Sequence, residues 1–517
     1  MPFDITLTLT PRESASPEFY RATAAKKLGV PDSRIAFIRI VRRSIDARGR
    51  AGVKVNLGLQ VYVDGEQAPP EVHFDYPNVA GRTPVVVVGS GPAGLFAALR
   101  LIERGVRPIV LERGKDVSVR KRDIALINRN GPVDGDSNYA FGEGGAGTFS
   151  DGKLFTRSKK RGDYRKALEV FRFHGADESI LYDAHPHIGT DRLPRIIQAM
   201  RRTIADCGGE IVFNARVTDL IIKDNRIKGV VCGDEKIEVA AVILATGHSA
   251  RDIYEILYAR GVLLETKPFA MGVRVEHPQQ LIDSIQYHMR ERGEYLPAAS
   301  YALVHQVNGR GVYSFCMCPG GFIVPALTSA GESVVNGMSP SGRNSVFANS
   351  GIVTEIHLAD FAHLQAEHGV LAGMRYQQQF EELAWAQVGD RQVAPAQRLA
   401  DFVRGAESKT LPRTSYAPGI APTPMHKWLS PYISGALRGG FAAFDRKMRG
   451  FLTNEAVILG VESRTSSPVR IPRDEATLMH PAVEGLFPCG EGAGYAGGII
   501  SAAVDGERSA DAAVDWI

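Results

Sequence analysis

Residues 84–94, Pro-Val-Val-Val-Val-Gly-Ser-Gly-Pro-Ala-Gly, decide how the rest of the chain is read. The valines Val85 to Val88 predict a buried parallel strand, and Gly89-Ser90-Gly91-Pro92-Ala93-Gly94 predicts a tight turn into a helix. The three glycines have separate jobs. Gly89 allows the turn, Gly91 lets the backbone approach a pyrophosphate, and Gly94 lets helix and strand pack closely. Pro92 falls in the first helical turn, where a missing N–H costs nothing. The helix carrying Leu95, Ala98, Leu99 and Ile102 then aims its free N–H groups and positive dipole end at the phosphates. A second strand, Pro108 to Leu111, ends in Glu112, at the spacing of a ribose-binding carboxylate, with Arg113 beside it. Strand, turn, helix and acid together predict a dinucleotide site.

The bulk properties narrow the class. At 517 residues the chain has room for about three domains, and 44% hydrophobic residues fill their cores. Net charge is +4, but residues 1–60 hold eleven Lys and Arg against five Asp and Glu, so the remainder is slightly acidic. Five cysteines, few and odd in number, argue against a disulfide framework and for a reducing compartment. No apolar run is long enough for a membrane span, and Met-Pro-Phe-Asp does not open a signal segment. A cytoplasmic location without membrane association is expected.

Four stretches follow from the patterning. Residues 1–80 read as a small α+β module of βαββ order: a strand from Asp4 to Leu9, a helix from Pro17 to Leu28, and strands Ile35 to Val41 and Val53 to Val63. Residues 81–250 are α/β, the first part of a cofactor-binding domain. They include a helix from Leu193 to Cys207, four short strands between Ile211 and Val239, and a buried strand ending at Ala245-Thr246-Gly247. Residues 251–449 lack the α/β rhythm and read as an inserted α+β substrate or cap domain. Residues 450–517, with Val457 to Val461, Leu486 to Gly494 and a final helix from about Gly498, read as the second part of the cofactor domain.

Gly485-Leu486-Phe487-Pro488-Cys489-Gly490-Glu491-Gly492 resembles the second FAD signature of flavoproteins of the glutathione-reductase type. In those proteins an acid holds a ribityl hydroxyl and the following helix start faces the flavin pyrimidine edge. The resemblance implies FAD contacts for Gly490, Glu491, Gly498 and Ile499, with Glu491 one methylene longer than the usual Asp. It also implies an adenine contact for the backbone of Val217. The glycine-rich loop 141–153, including Gly144, Gly145, Ala146 and Gly147, suits close contact with a flavin or its phosphates. That loop, Ala245 to Asp252, Glu462 to Arg473 and Gly490 to Ile499 together are similar to a family of FAD-dependent dehydrogenases. The resemblance implies a Rossmann-like FAD-binding fold and an oxidoreductase.

Candidate catalytic residues are His248, an acid or base, Arg464 and Arg470, suited to an anionic substrate, and Tyr495, placed to cover the flavin. Hydride or electrons then pass between flavin N5 and a small molecule, with NAD(P)H as candidate donor or a redox partner in its place. Without a second GxGxxG, no separate nicotinamide domain is expected. Cys316 and Cys318 lack CxxC spacing and read as buried small hydrophobes, and no metal site is expected. The basic cluster Arg39, Arg42, Arg43, Arg48 and Arg50 raises a rival reading, a tRNA-modifying flavoprotein. A solvated face is the plainer explanation, and nucleic acid is not the expected partner.

Overall fold

The valine run forms the strand Pro84–Val88, central in a five-stranded parallel sheet. On one side lie Arg107–Leu111 and Glu210–Val212, and on the other Val242–Leu244 and Leu486–Pro488. Strand order therefore reverses between Pro84–Val88 and Val242–Leu244, and ligands of open α/β sheets bind at such a switch point. The helices Pro92–Glu103 and Ile499–Trp516 pack against each other over this sheet. Their approach depends on small residues: a Cβ at Gly506 would lie 2.1 Å from the Ala93 carbonyl oxygen. The computed structural model describes residues 1–49, 52–70, 72–155 and 162–517, so Arg50 of the basic cluster lies outside the described residues.

A three-stranded antiparallel sheet, Val217–Lys223, Arg226–Cys232 and Glu235–Glu238, stands beside the parallel one. The region after residue 251 contributes a seven-stranded sheet centred on Phe269–Pro278. Here one expectation fails. Val457–Glu462 belongs to this second sheet, pairing antiparallel with Phe269–Pro278 and with Ala394–Arg398. A short, wholly buried apolar strand is compatible with either layer, and its sequence does not reveal the partner. The chain re-enters the parallel sheet only at Leu486–Pro488.

At the N-terminus, Phe3–Leu9, Ile35–Asp46 and Lys54–Val63 form an antiparallel sheet with the last strand in the middle. The helix Pro17–Leu28 covers it, capped by Ser16 at its start and left-handed Gly29 at its end. Leu7, Leu9, Ala24, Leu57 and Val61 form its own core. Arg43 docks this unit on the body through Asp183 at 2.6 Å. Arg48 pairs with Asp46 at 2.7 Å. Two of the four described arginines of the basic cluster are thus neutralised within the chain. Among the described residues no helix is long and apolar enough to cross a membrane.

Candidate active site

A cavity of about 410 Å³ opens at the switch point. Gly89, Gly91, Pro92 and Ala93 form one part of its wall, and Ala245, Thr246 and Gly247 face them from the neighbouring strand end. Gly89 has φ +99, and a Cβ there would lie 2.6 Å from the Ala245 carbonyl oxygen, so only glycine fits the turn. Gly91 is different. A Cβ on it would meet nothing closer than Gly145 Cα at 3.9 Å, which leaves the start of the helix open to the cavity. Gly497 and Gly498 at the start of Ile499–Trp516 also line the cavity, and a Cβ on either meets nothing within 4 Å. Two helix N-termini thus present unobstructed backbone to one cavity, a donor set that suits the phosphates and the pyrimidine edge of FAD.

Gly145, Ala146, Gly147, Val217 and Ile499 line the same cavity, as do Glu112, Arg113, His248, Arg464 and Glu491. Gly94, Gly144, Gly490, Arg470 and Tyr495 are outside its wall. Gly94 is a packing residue: a Cβ would lie 1.9 Å from the Gly89 carbonyl oxygen. Gly144 has φ +78 and backs onto Thr148, and the Gly490 N–H donates to Asp505 at 2.8 Å. Arg470 lies on the short strand Val469–Arg470, with Glu265 at 3.8 Å. Tyr495 is held under the Arg473 guanidinium, 3.9 Å from its ring centroid, and its hydroxyl accepts from the Arg473 N–H at 3.1 Å. Both were expected at the flavin; in the structure both lie outside the cavity wall, Arg470 over the Tyr495 ring at 5.7 Å.

Two further roles change. The Glu112 carboxylate, expected at a ribose, accepts from Ser90 N at 3.0 Å, Ser90 Oγ at 2.7 Å, Gly114 N at 2.9 Å and Gly142 N at 3.0 Å. Four donors fill a carboxylate's capacity, so Glu112 clamps the glycine turn to the 141–147 loop. Arg464 is equally occupied: its Nη2 lies 2.8 Å from Glu332 and 2.9 Å from Glu381, and Arg251 pairs with the same two acids. These acids come from segments more than 80 residues away from Arg464, which no local pattern reveals.

The sequence reading also missed Arg120, which organises the glycine loop. Fully buried, it donates to the carbonyl oxygens of Asn138, Tyr139, Glu143 and Gly145 at 2.8–3.0 Å, and to Gly142 at 3.2 Å. A conspicuous positive charge inside a helix of otherwise mixed character was the only available signal. One guanidinium thus gathers five carbonyls of the loop, and for those of Asn138 and Tyr139 it is the donor that satisfies them.

His248 lines the cavity with Nε2 3.2 Å from the Arg464 carbonyl oxygen and Nδ1 3.6 Å from Glu491. Burial, reinforced by Arg464, pushes it down to about 4, so it is neutral near pH 7. With Nε2–H bonded to the carbonyl, Nδ1 is left as a buried acceptor without a hydrogen-bond partner among the described residues. Burial raises the Glu491 carboxyl above its ordinary value, with Cys316 adding to the effect. His277, whose Nε2 lies 2.8 Å from the Phe451 carbonyl oxygen, is likewise pushed down to about 4 by burial. Both histidines are neutral when folded and titrate near 6.5 when unfolded, so stability is lost as pH falls from 6.5 towards 4. Each contributes up to about 1.4 kcal/mol per pH unit. Buried Glu462, lifted to about 7, acts in the opposite sense. The clean comparison is therefore His277→Gln against wild type: urea midpoints between pH 6.5 and 4.5 should fall less steeply in the variant, by one proton's worth of slope.

Among the described residues no group of His, Cys, Asp and Glu is arranged to hold a metal ion. Residues 268–465 match the C-terminal domain-like model of an FAD-dependent protein, 82–129 an FAD binding domain, 181–309 an FAD dependent oxidoreductase, and 1–62 a domain of unknown function. An uncharacterised protein of Clostridium beijerinckii is 40% identical over 507 residues, covering 94% of each chain. A thiamine thiazole synthase of Methanococcus vannielii is 29% identical over 178 residues, 32% of this chain and 56% of that one. Among solved structures, the flavin-dependent brominase Bmp2 aligns over 84% of this chain and 79% of its own, at 13% identity and a TM-score of 0.36. With that cover and identity to the Clostridium protein, and with FAD-protein models matched across the body, the chain belongs to a family of FAD-dependent oxidoreductase-type flavoproteins shared with that relative.

Proposed function

We propose that the chain is an FAD-dependent oxidoreductase of glutathione-reductase-type architecture, acting on a small molecule that enters from the seven-stranded sheet. One observation carries this reading: a single cavity runs from the Gly91 turn and Val217 to the Gly497–Ile499 helix start, and then to Phe315 and Cys316 of the second sheet and Asn336 of a separate two-stranded sheet. The first two places suit the pyrophosphate and the adenosine. Arg113, stacked on Phe141 at 4.2 Å and paired with Asp136 and Asp252, forms the wall beside them. Bound there, FAD would supply two-electron redox chemistry.

The chain's own groups do the rest. The helix start at Gly498 and Ile499 favours negative charge at that end of the cavity, while the Gly497 N–H donates to Ser501 Oγ at 3.2 Å. Neutral His248 offers Nδ1 as a base, and Glu491, whose carboxyl burial shifts towards the protonated form, lies 3.6 Å away. With Arg464 neutralised by its acids and Arg470 outside the wall, substrate charge is not matched by those two arginines. Lys153 also lines the cavity, with Cys316 Sγ at 3.8 Å and Asp151 at 4.0 Å from its Nζ.

The test is chemical. Protein purified without added cofactor should release one FAD per chain on denaturation, and release of FMN or of no flavin overturns the reading. Anaerobic mixing with NADH and with NADPH then identifies the donor. Rapid bleaching of the flavin absorbance by either shows direct reduction through this cavity, and bleaching by neither assigns reduction to a protein or quinone partner.

A further inference from the structure

Cys316 and Cys318 lie at the end of the strand Arg310–Cys318, in the second sheet, and their surroundings are not those of inert core thiols. The pairing of this strand with Phe347–Ile356 shifts register between Phe315 and Cys318, and Cys316 is left-handed at φ +38. This irregularity places Cys316 in the cavity wall while Cys318 is completely buried behind it. Residues two apart on a strand share a face. In an extended strand their Cα atoms are about 6.6 Å apart, near the upper limit of the roughly 4.4–6.8 Å range that disulfides span. In this irregular stretch the Cys318 Sγ lies 3.7 Å from the Cys316 carbonyl oxygen, so the buried sulfur sits against the residue two before it.

Two cations bracket the pair. Lys153 Nζ lies 3.8 Å from Cys316 Sγ and donates to the Met317 carbonyl oxygen. Arg274 Nη2 donates to the Cys316 carbonyl oxygen at 2.8 Å and lies 3.7 Å from Cys318 Sγ. A hydrogen bond from Cys318 holds the Cys316 thiol well below its ordinary value against the effect of burial, and Lys153 and Arg274 add to it. Cys318 is pushed in the opposite direction, so Cys316 is the sulfur that gives up its proton more readily. Burial opposes the charge of Lys153, but the two thiols and Asp151 outweigh it and raise its proton affinity. A cavity-facing thiol beside a cation, backed by a second thiol with a cation of its own, is an arrangement that suits disulfide chemistry.

We propose that Cys316 and Cys318 are a redox-active dithiol that exchanges two electrons with the flavin, Cys316 being the cavity-facing sulfur and Cys318 its buried partner. The inference rests on the FAD reading above. In the forward step the Cys318 S–H bond breaks and one S–S bond forms between the two sulfurs. Two electrons and that single proton pass to oxidised flavin, giving its two-electron-reduced, singly protonated form. The reverse step reopens the disulfide to thiolate and thiol. Cys207, Cys232 and Cys489 do not line the cavity, so the couple is confined to this pair.

The experiment uses the purified holoprotein under anaerobic conditions, with its flavin content measured first by absorbance. After oxidation with ferricyanide and removal of the oxidant, it is titrated with dithionite while the flavin absorbance is followed. Wild type should take up four electrons per flavin, whereas Cys316→Ser and Cys318→Ser should each take up two. Peptide mass spectrometry after N-ethylmaleimide blocking reads the same couple without any variant. The oxidised wild-type protein should show a Cys316–Cys318 link, and the reduced protein should show both residues alkylated. Two-electron uptake by flavin-bearing wild type, or no linked peptide after oxidation, overturns the dithiol and leaves the FAD reading standing. Protein without flavin overturns both.

Discussion

Gly91→Val should purify folded and colourless. Gly91 has φ −68 and ψ −177, a conformation open to any residue, and its Cβ would stand 3.9 Å from the nearest atom, Gly145 Cα. The side chain therefore costs little in the protein alone. Its two methyl groups would occupy the space in front of the free N–H groups of Pro92–Glu103, where a pyrophosphate must come within hydrogen-bond distance. Gly94→Ala is the matched control with the opposite outcome. Its Cβ would lie 1.9 Å from the Gly89 carbonyl oxygen, so helix and strand must separate, at a cost of about 1–3 kcal/mol or more. Flavin content by absorbance and unfolding midpoints of flavin-free protein distinguish the two, since bound cofactor itself raises the midpoint. Gly91→Val should lose FAD with its apo midpoint unchanged, and Gly94→Ala should lose midpoint. A Gly91→Val protein that keeps one FAD per chain would refute the placement of the phosphates.

The contrast between these two glycines shows which parts of the molecule can be read from sequence. Strand, turn and helix at 84–103 are local, so the turn chemistry and helix packing are written in adjacent residues. The same holds for the strand ends at Ala245 to Gly247 and the helix start at Gly498. Partnerships between distant segments are not local. Val457–Glu462 reads as a buried strand in either sheet, and only its registry with Phe269–Pro278 assigns it. The helix Ala372–Ala386 is rich in Gln and Glu, yet Gln377 and Glu381 on it are buried, Gln377 donating to the Ser463 carbonyl oxygen at 3.1 Å and Glu381 meeting two arginines from elsewhere. Cys316 was hidden for another reason. Its position in the cavity depends on a bulge and a left-handed backbone at a residue type that rarely takes one, and CxC spacing carries no signature of that.

Glu381→Gln should cost about 3–5 kcal/mol of stability, the range for breaking a buried ion pair on one side. Glu381 is wholly buried. Its oxygens accept from both Arg251 nitrogens at 3.0 Å, from Arg464 Nε at 3.1 Å and Nη2 at 2.9 Å, and from Ser463 Oγ at 2.6 Å. With Glu332 the cluster is two acids and two bases, neutral as a whole, and the amide leaves two guanidiniums sharing one carboxylate. Burial works against the Glu381 charge, but Arg251 and Arg464 overcome it and hold the carboxyl at about 2. Its folded value lies below the ordinary 4.5, so its contribution is complete above that pH and is lost as pH falls towards 2. Glu381→Gln should therefore lower the urea midpoint at pH 7 and remove part of the acid sensitivity below pH 4.5. Arg464→Ala should be similarly costly, since it leaves two carboxylates on Arg251. The double variant Glu381→Gln with Arg464→Ala leaves a neutral Arg251–Glu332 pair and should cost less than the sum of the two single losses, a coupling that the double-mutant cycle measures directly. If Arg464→Ala instead keeps full stability while weakening an anionic ligand, the arginine belongs to the substrate site and the cluster does not hold it.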